Sequence, residues 1–527
     1  MTDGLHTLGR WTRDRATATP LRAAVDDRGV ELTYRELDER ASALAAAFLD
    51  RGYGVGDRIA TITGNSADHV VLFFACAKAG LVLVPLSWRL SPRELALQLE
   101  QAAPALLLVE EEFDSLASAA RKRLLQPLTT AALGGSGVEA RVPDPVRWGL
   151  EDAPVRRAVR DDDPLLIIFT SGTQSAARGA VLTHANCFWT NLALSRIIDI
   201  SATDIVLAVM PQYHVGGWNV QPLLAWWVGA TVVLERTFDP GRVLQLIQDR
   251  RITTMMGVPA NYLFLSENPA FNTADLSSLT HAIVGGAPMP EPLLRTWHAR
   301  GVALTQGYGL TEASPNVLCL PDEDARTKIG LAGKPYPHVE VAVADMVTGE
   351  PLDGAAEGEL LVRGPSVFPG YFRNDEATAL ALRDGWLHTG DLVRRDADGY
   401  FQVIDRISDI YISGGESISP SEVEGVLAAH PAVADVAVVG VPDARWGEVG
   451  IAYVVTRPGI ATDETELTEY CQQNLASYKV PKRVIVRAAI PRSGANKVRR
   501  RELVADYEAL TADSTPARSR ANGSGVK

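Results

Sequence analysis

The sequence predicts a multidomain α/β protein: a large N-terminal domain of sheets and helices with a β-rich subdomain near its end, then a small α+β C-terminal domain. Three observations predict it. Strand-sized apolar runs recur between helical stretches from residue 58 to residue 235. After about residue 335 the pattern changes to short alternating strands. From Ile407 a third pattern of helices and strands fills about 100 residues, enough for a separate domain.

Residues 30–50 predict a short strand and an amphipathic helix, with Thr33 as N-cap, Glu36 completing a capping box, and Gly52 and Gly54 ending the helix. The runs RIATIT (58–63), LVLVPL (81–86), ALLLVE (105–110), PLLIIFT (164–170), DIVLAVM (204–210) and ATVVLE (230–235) follow. Apolar runs separated by helices belong to parallel strands covered on both faces. The longest, Val70 to Leu86, contains Lys78 and Gly80 and falls short of the ~20 residues that span a bilayer. It reads as a buried helix feeding a strand. The opening MTDGLHTLGRWTRDR lacks the apolar core of a signal peptide, so a soluble, cytoplasmic protein is expected.

VEVAVAD (339–345), GELLVRG (358–364) and the hairpin pattern of 391–406, with DADG at its turn, make up the β-rich subdomain, about 335–406. The C-terminal domain, 407–510, reads helix (419–430), strands (433–441 and 450–456), helix (466–476), strand (483–488) and a basic stretch. Residues 511–527 are small and polar and read as a disordered tail.

The net charge of −13 argues against nucleic-acid binding, which needs a concentrated basic face. Cys76, Cys187, Cys319 and Cys471 show no CxxC or Cys/His ligand spacing. They read as small buried hydrophobes in a reducing compartment rather than as disulfides or zinc ligands.

Four motifs carry chemistry. TSGTQSAARGAVLT (170–183) follows an apolar strand, and its Thr170, Ser171, Thr173 and Arg178 suit a triphosphate; an ordinary polar turn is the plain alternative. QGYGLTE (306–312) offers Tyr308 as a flat face for a base, Thr311 as a hydroxyl and Glu312 as a hard oxygen for Mg²⁺; otherwise it is a Gly-rich turn with a core tyrosine. VGGAPMP (284–290) supplies an accessible backbone turn nearby. GWLHTGD (385–391) and DRISD (405–409) offer Asp391 to ribose hydroxyls and Arg406 as a further donor, though lone charges are mostly solvated. In PRSGANKVRRREL (491–503), Lys497 after a turn can act as a mobile point charge or simply start a solvated basic helix.

Together, in this order, these motifs resemble the adenylate-forming superfamily in its acyl-CoA synthetase type, over residues ~30–503. The resemblance implies a domain of stacked mixed sheets and helices over 1–406 and a mobile C-terminal domain over 407–510. It implies ATP-dependent activation of a carboxylic acid to an acyl-adenylate with release of pyrophosphate, then thioesterification to coenzyme A. Thr170, Ser171, Thr173 and Arg178 are expected on the β- and γ-phosphates. Gly286, Ala287 and Pro288 border the adenine, Gln306 faces its amino edge, and Tyr308 stacks on it. Thr311 meets the α-phosphate, Glu312 holds Mg²⁺, Asp391 and Arg406 take the ribose, and Lys497 stabilises the α-phosphate transition state. His214 lies near the acyl carboxylate, Ser408 is the hinge, and Gly414 and Gly415 line the coenzyme A channel.

The chain departs from this pattern in three places. The phosphate loop carries Gln174, Ser175, Ala177 and Arg178 where the family has Thr, Gly, Pro and Lys; Ser408 replaces a charged residue; Asn496 replaces a glycine. Altered ATP handling and a comparatively slow transfer to coenzyme A are therefore expected. An adenylating enzyme that hands its acyl group to a carrier protein or separate partner, and a non-catalytic nucleotide- or acyl-binding relative, are the alternative readings.

Overall fold

The computed structural model describes residues 4–134, 142–145, 157–170, 177–413, 416–443, 445–492 and 497–512. The chain forms two compact units that part between Val403 and Ile404, three residues before the division expected at 406.

In the first unit, one sheet runs in the order Gly370–Tyr371, Arg178–Thr183, Pro164–Thr170, Val82–Leu86, Arg58–Ile62, Leu106–Val109, Thr130–Ala132. Its interior is parallel, as the apolar runs predict, and Arg58–Ile62 and Val82–Leu86 are buried at every residue. Its other end is antiparallel: Pro164–Thr170 turns back on Arg178–Thr183, with Thr170 opposite Arg178. A second sheet runs Lys334–Pro335, Asn316–Cys319, Leu304–Gly309, His281–Val284, Thr254–Gly257, Ile205–Ala208, Thr231–Leu234, Ala23–Asp27, Val30–Thr33. From Leu304–Gly309 to Ala23–Asp27 every pairing is parallel; the edges are antiparallel. Both sheets are thus mixed.

The helix Ala67–Ala79 is buried along almost its whole length. Ser66 caps it by accepting from the His69 amide, and Gly80 ends it at φ 75°, where a Cβ would sit 2.7 Å from Val55 Cγ2. It is a core helix because Phe73 stacks on Trp218 at 4.7 Å and Phe74 meets Trp226 edge-on at 5.7 Å. Each such phenylalanine contributes roughly 2–3 kcal/mol by leaving water. The helix Tyr34–Asp50 carries the expected capping box from Thr33 and Glu36. Among the described residues no helix is long and apolar enough to cross a membrane. All four cysteines are free and buried, and burial pushes the Cys187 thiol up to about 12.

The β-rich part is an antiparallel sheet in which Ala356–Arg363 lies between Glu340–Ala344 and Trp386–Arg395. The DADG turn is closed by Asp396, whose carboxylate accepts from the amides of Asp398 and Tyr400 at 3.0 and 2.8 Å.

In the second unit, Val433–Asp443 and Gly447–Thr456 pair antiparallel, and Arg483–Val486 joins the latter in parallel. The helices Pro420–Ala428, Glu464–Asn474 and Arg500–Ala512 complete it. The last helix extends two residues into the stretch read from sequence as tail; residues 513–527 lie outside the described residues.

Candidate active site

The second sheet decides where the motifs meet. Ile205–Ala208, Thr254–Gly257, His281–Val284 and Leu304–Gly309 are successive parallel neighbours, so their C-terminal ends share one edge. From those ends emerge the His214 segment, the Gly285–Pro288 turn and the Thr311–Glu312 turn. The outer edge at strand C-termini is where open α/β sheets bind ligands. Val284 lies opposite Gln306 in register. One step on, a Cβ on Gly285 would sit 3.0 Å from the Gly307 carbonyl oxygen, so the two motifs touch backbone to backbone. Gly286, at φ 82°, turns the chain outward and leaves Gly286, Ala287 and Pro288 exposed. The Gln306 side-chain amide donates to the Leu331 carbonyl at 3.1 Å.

The Tyr308 hydroxyl donates to Asp391, a carboxylate only 3% exposed. Asp391 is held from behind: its amide donates to Thr389 Oγ1 at 3.1 Å, and that hydroxyl donates to the Leu360 carbonyl at 2.7 Å. Glu359, which no motif reading singles out as functional, accepts from the Gly390 amide at 3.0 Å and pairs with His388 at 2.9 Å. It fixes the turn that carries Asp391.

Glu312 sits in a short turn, Thr311–Ala313. Its Oε1 accepts from the Tyr371 hydroxyl at 2.8 Å, and its backbone carbonyl accepts from the Phe368 amide at 2.9 Å. Burial, with the Glu312 charge beside it, pushes the Tyr371 phenol far up, so it stays a donor. Thr170 and Arg178 face each other across the hairpin of the first sheet, the Thr170 hydroxyl 3.4 Å from the Arg178 carbonyl. Ser171 and Thr173 lie outside the described residues, as do Gln174 and Ser175.

His214 is half-buried, 4.8 Å ring to ring from Tyr213. The segment leading to it from the strand Ile205–Ala208 is clamped by residues the sequence does not advertise. Asn65 donates to the carbonyls of Met210 and Glu235, both at 3.0 Å, and accepts from the Gln212 amide at 2.9 Å. His69 meets Gln212 Oε1 at 3.1 Å and the Thr61 hydroxyl at 3.2 Å; burial lowers its pKa to about 4.

In the second unit, Arg406 is half-buried, and Ser408 and Lys497 are exposed. Ser408 stands between two anchored carboxylates. Asp405 accepts from the Ser419 hydroxyl at 2.6 Å and the Ser421 amide at 2.9 Å, while Asp409 meets Arg500 Nε at 3.2 Å. Gly414, Gly415 and Asn496 lie outside the described residues.

The family model of the AMP-binding enzyme matches residues 12–372, and that of the AMP-binding enzyme C-terminal domain matches residues 422–497. Two curated relatives span nearly the whole chain. A feruloyl-CoA synthase from an Amycolatopsis species is 39% identical over 497 residues, covering 94% of this chain and 98% of its own. An indoleacetate–CoA ligase from Aromatoleum aromaticum is 35% identical over 510 residues, with the same shares covered. Among solved structures, the o-succinylbenzoate CoA synthetase of Bacillus subtilis in complex with its acyl-adenylate intermediate superposes with a TM-score of 0.82 at 30% identity, covering 94% of this chain and 97% of that one. The chain belongs to the AMP-binding enzyme family. Within it, the protein is an AMP-forming acid–CoA ligase, coupling ATP-dependent formation of an acyl-adenylate to thioesterification with coenzyme A.

Proposed function

We propose that this ligase activates carboxylic acids that carry an aromatic ring, and that the motif residues divide the work as follows. Tyr308 and the Gly286–Pro288 turn receive the adenine, and Asp391 takes the ribose hydroxyls in place of the Tyr308 hydroxyl. Thr311 donates to the α-phosphate, Arg178 carries charge to the pyrophosphate end, and His214 borders the acid. The acid's carboxylate oxygen attacks the α-phosphorus and pyrophosphate leaves with the P–O electron pair. The sulfur of coenzyme A then attacks the acyl carbon, AMP leaves, and the thiol proton is released. Lys497 supplies a positive charge to the first step, and Ser408 is the pivot between the two. Positioning and charge do most of the work in such displacements.

The observation that carries this reading is the shared edge: three motif loops leave strands of one four-stranded parallel run at the same ends. The aromatic class is supported by the two relatives, whose named acids both carry a ring.

Glu312 fits a magnesium ion that arrives with ATP. Its Oε1 is engaged by Tyr371, no described residue bonds its Oε2, and no cluster of three or more His, Cys, Asp or Glu stands ready to cage a resident metal among the described residues. Mg²⁺ is commonly held by one or two carboxylates plus substrate phosphates. When bound it would neutralise phosphate charge.

The test is a panel of benzoate, cinnamate and indoleacetate against aliphatic acids of matched length, read by pyrophosphate release and by acyl-CoA formation. Aromatic acids should exceed their aliphatic partners at least tenfold in kcat/KM, roughly the discrimination one hydrophobic pocket supplies. Aliphatic preference would overturn the acid class. Pyrophosphate release without acyl-CoA would overturn coenzyme A as acceptor and favour a carrier protein.

A further inference from the structure

Tyr371 lies outside every motif that the chemistry of the site absorbs, yet it touches two of them. Its hydroxyl donates to Glu312 Oε1 at 2.8 Å, and the Arg178 guanidinium carbon lies 5.5 Å from its ring centroid. The backbone leaves it little freedom. Gly370 and Tyr371 pair with Val181 and Ala180, and the Phe372 amide donates to the Gly179 carbonyl at 2.7 Å. The Tyr371 amide donates to the Thr378 hydroxyl at 2.9 Å. Phe368 packs edge-on against the ring at 4.9 Å, and its own amide holds the Glu312 carbonyl. At Gly370 a Cβ would fall 2.5 Å from Thr378 Cγ2, so the strand lies tight against the helix Asp375–Ala381.

We propose that Tyr371 is a positioning residue for the magnesium–triphosphate end of the site: its hydroxyl fixes Glu312 with Oε2 turned to the metal, and its ring steadies the Arg178 guanidinium. The inference rests on the proposed roles of Glu312 and Arg178. A carboxylate that offers one oxygen to a metal must be kept from rotating, and a hydrogen-bond donor on the other oxygen does this. The planar guanidinium of Arg178 suits an aromatic face, and its charge also acts on the Tyr371 hydroxyl. Tyr371 thereby ties the hairpin of the first sheet to a turn of the second, and couples the two groups expected around the phosphates.

The experiment compares Tyr371→Phe, Tyr371→Leu and Glu312→Gln in the full chain. The readouts are Mg²⁺ dependence of adenylation, KM for ATP and for the acid, and calorimetric ATP binding in EDTA and in Mg²⁺. Tyr371→Phe keeps the ring. It should raise the Mg²⁺ concentration for half-maximal rate about tenfold, the low end of what losing such a support costs. It should leave ATP binding in EDTA and the KM for the acid within about twofold, a change this hydroxyl does not govern. Tyr371→Leu should add a loss of ATP binding in EDTA, because the Arg178 support goes as well. Unchanged Mg²⁺ dependence in Tyr371→Phe, with Glu312→Gln shifted, overturns the positioning role while leaving the site intact. Parallel losses for ATP and acid overturn it too, as the mark of a general packing residue. If Glu312→Gln leaves Mg²⁺ dependence where it was, the assignment of Glu312 fails and the inference falls with it.

Discussion

Asn65→Ala should cost both stability and acid affinity, and the structure sets the size. Asn65 is 4% exposed and makes three hydrogen bonds: to Met210 O, to Glu235 O and from the Gln212 amide. At about 1 kcal/mol net each these contribute about 3 kcal/mol, and groups left buried without partners raise the cost to about 3–5 kcal/mol. Unfolding entropy of about 2.1 cal/mol/K per residue over about 400 residues turns this into a fall of about 4–6 °C in melting temperature. The clamped segment ends two residues before His214, so its displacement should reach the acid. We expect kcat/KM for the acid to fall about tenfold more than that for ATP, since misplacements near 1 Å cost up to about 10²-fold. Asn65→Asp is the control: it keeps the shape but replaces two donors by a carboxylate facing carbonyls, and should do no better than alanine. Differential scanning fluorimetry and steady-state pyrophosphate release read both effects. A wild-type melting temperature in either variant, or equal losses for ATP and acid, would refute the clamp.

Arg178→Ala should raise KM for ATP more than KM for the acid; unmoved ATP kinetics would remove this residue from the phosphate end. Lys497→Ala should slow adenylation by about 10²–10³-fold, the scale of a deleted preorganised charge, and slow thioester formation from supplied acyl-adenylate far less; equal losses would count against separate roles in the two steps. His69 and His184 are fully buried, and desolvation lowers both to about 4 from about 6.5. The folded state resists their protonation, so the stability they carry is present above pH 6.5 and is lost as pH falls towards 4, on the order of 3 kcal/mol each. Melting temperature against pH should fall through that window, and His69→Gln should flatten the fall; an unchanged slope would place the titration elsewhere. Ser408→Asp should accelerate transfer to coenzyme A in single-turnover mixing while leaving adenylate formation alone; acceleration of both, or of neither, would sink the pivot.

What the sequence makes legible is what local physics determines. RIATIT and LVLVPL read as buried parallel strands because each is apolar along its length, and both are. Thr33 and Glu36 read as a capping box because the spacing alone builds one. The phosphate loop follows PLLIIFT, a strand the sequence announces, but the strands His281–Val284 and Leu304–Gly309, whose ends put Gly285 and Thr311 on one edge, are not among the apolar runs read from the sequence. What stays illegible depends on partners distant in sequence. Asn65 and Gln212 are 147 residues apart, and Tyr371 and Glu312 are 59 apart. No periodicity links either pair; only the pairing of Gly370–Tyr371 with Arg178–Thr183 brings a tyrosine hydroxyl to that carboxylate. Glu359 was legible as part of a strand but not as the anchor of Gly390, because a bulge between Glu359 and Leu361 shifts the register.

The departures from the family pattern are unevenly placed, and the fold gives a reason. Tyr308 and Asp391 belong to strands or strand ends whose backbones are fixed by neighbours on each side, and a Cβ on Gly285 would crowd the Gly307 carbonyl oxygen at 3.0 Å. A change there moves the backbone. Thr170 and Arg178, which flank the phosphate loop, are the last pair of a hairpin that runs back to Pro164 and Thr183. Arg178, the first residue of the returning strand and paired with Thr170, keeps the positive charge of the family's lysine and lies over the ring of Tyr371. A lysine there is a compact point charge; an arginine spreads its charge over a plane that a ring can hold. With Arg178 at the phosphates as proposed, its charge starts from a paired strand and lies against a ring on the neighbouring strand, so the sheet itself aims it.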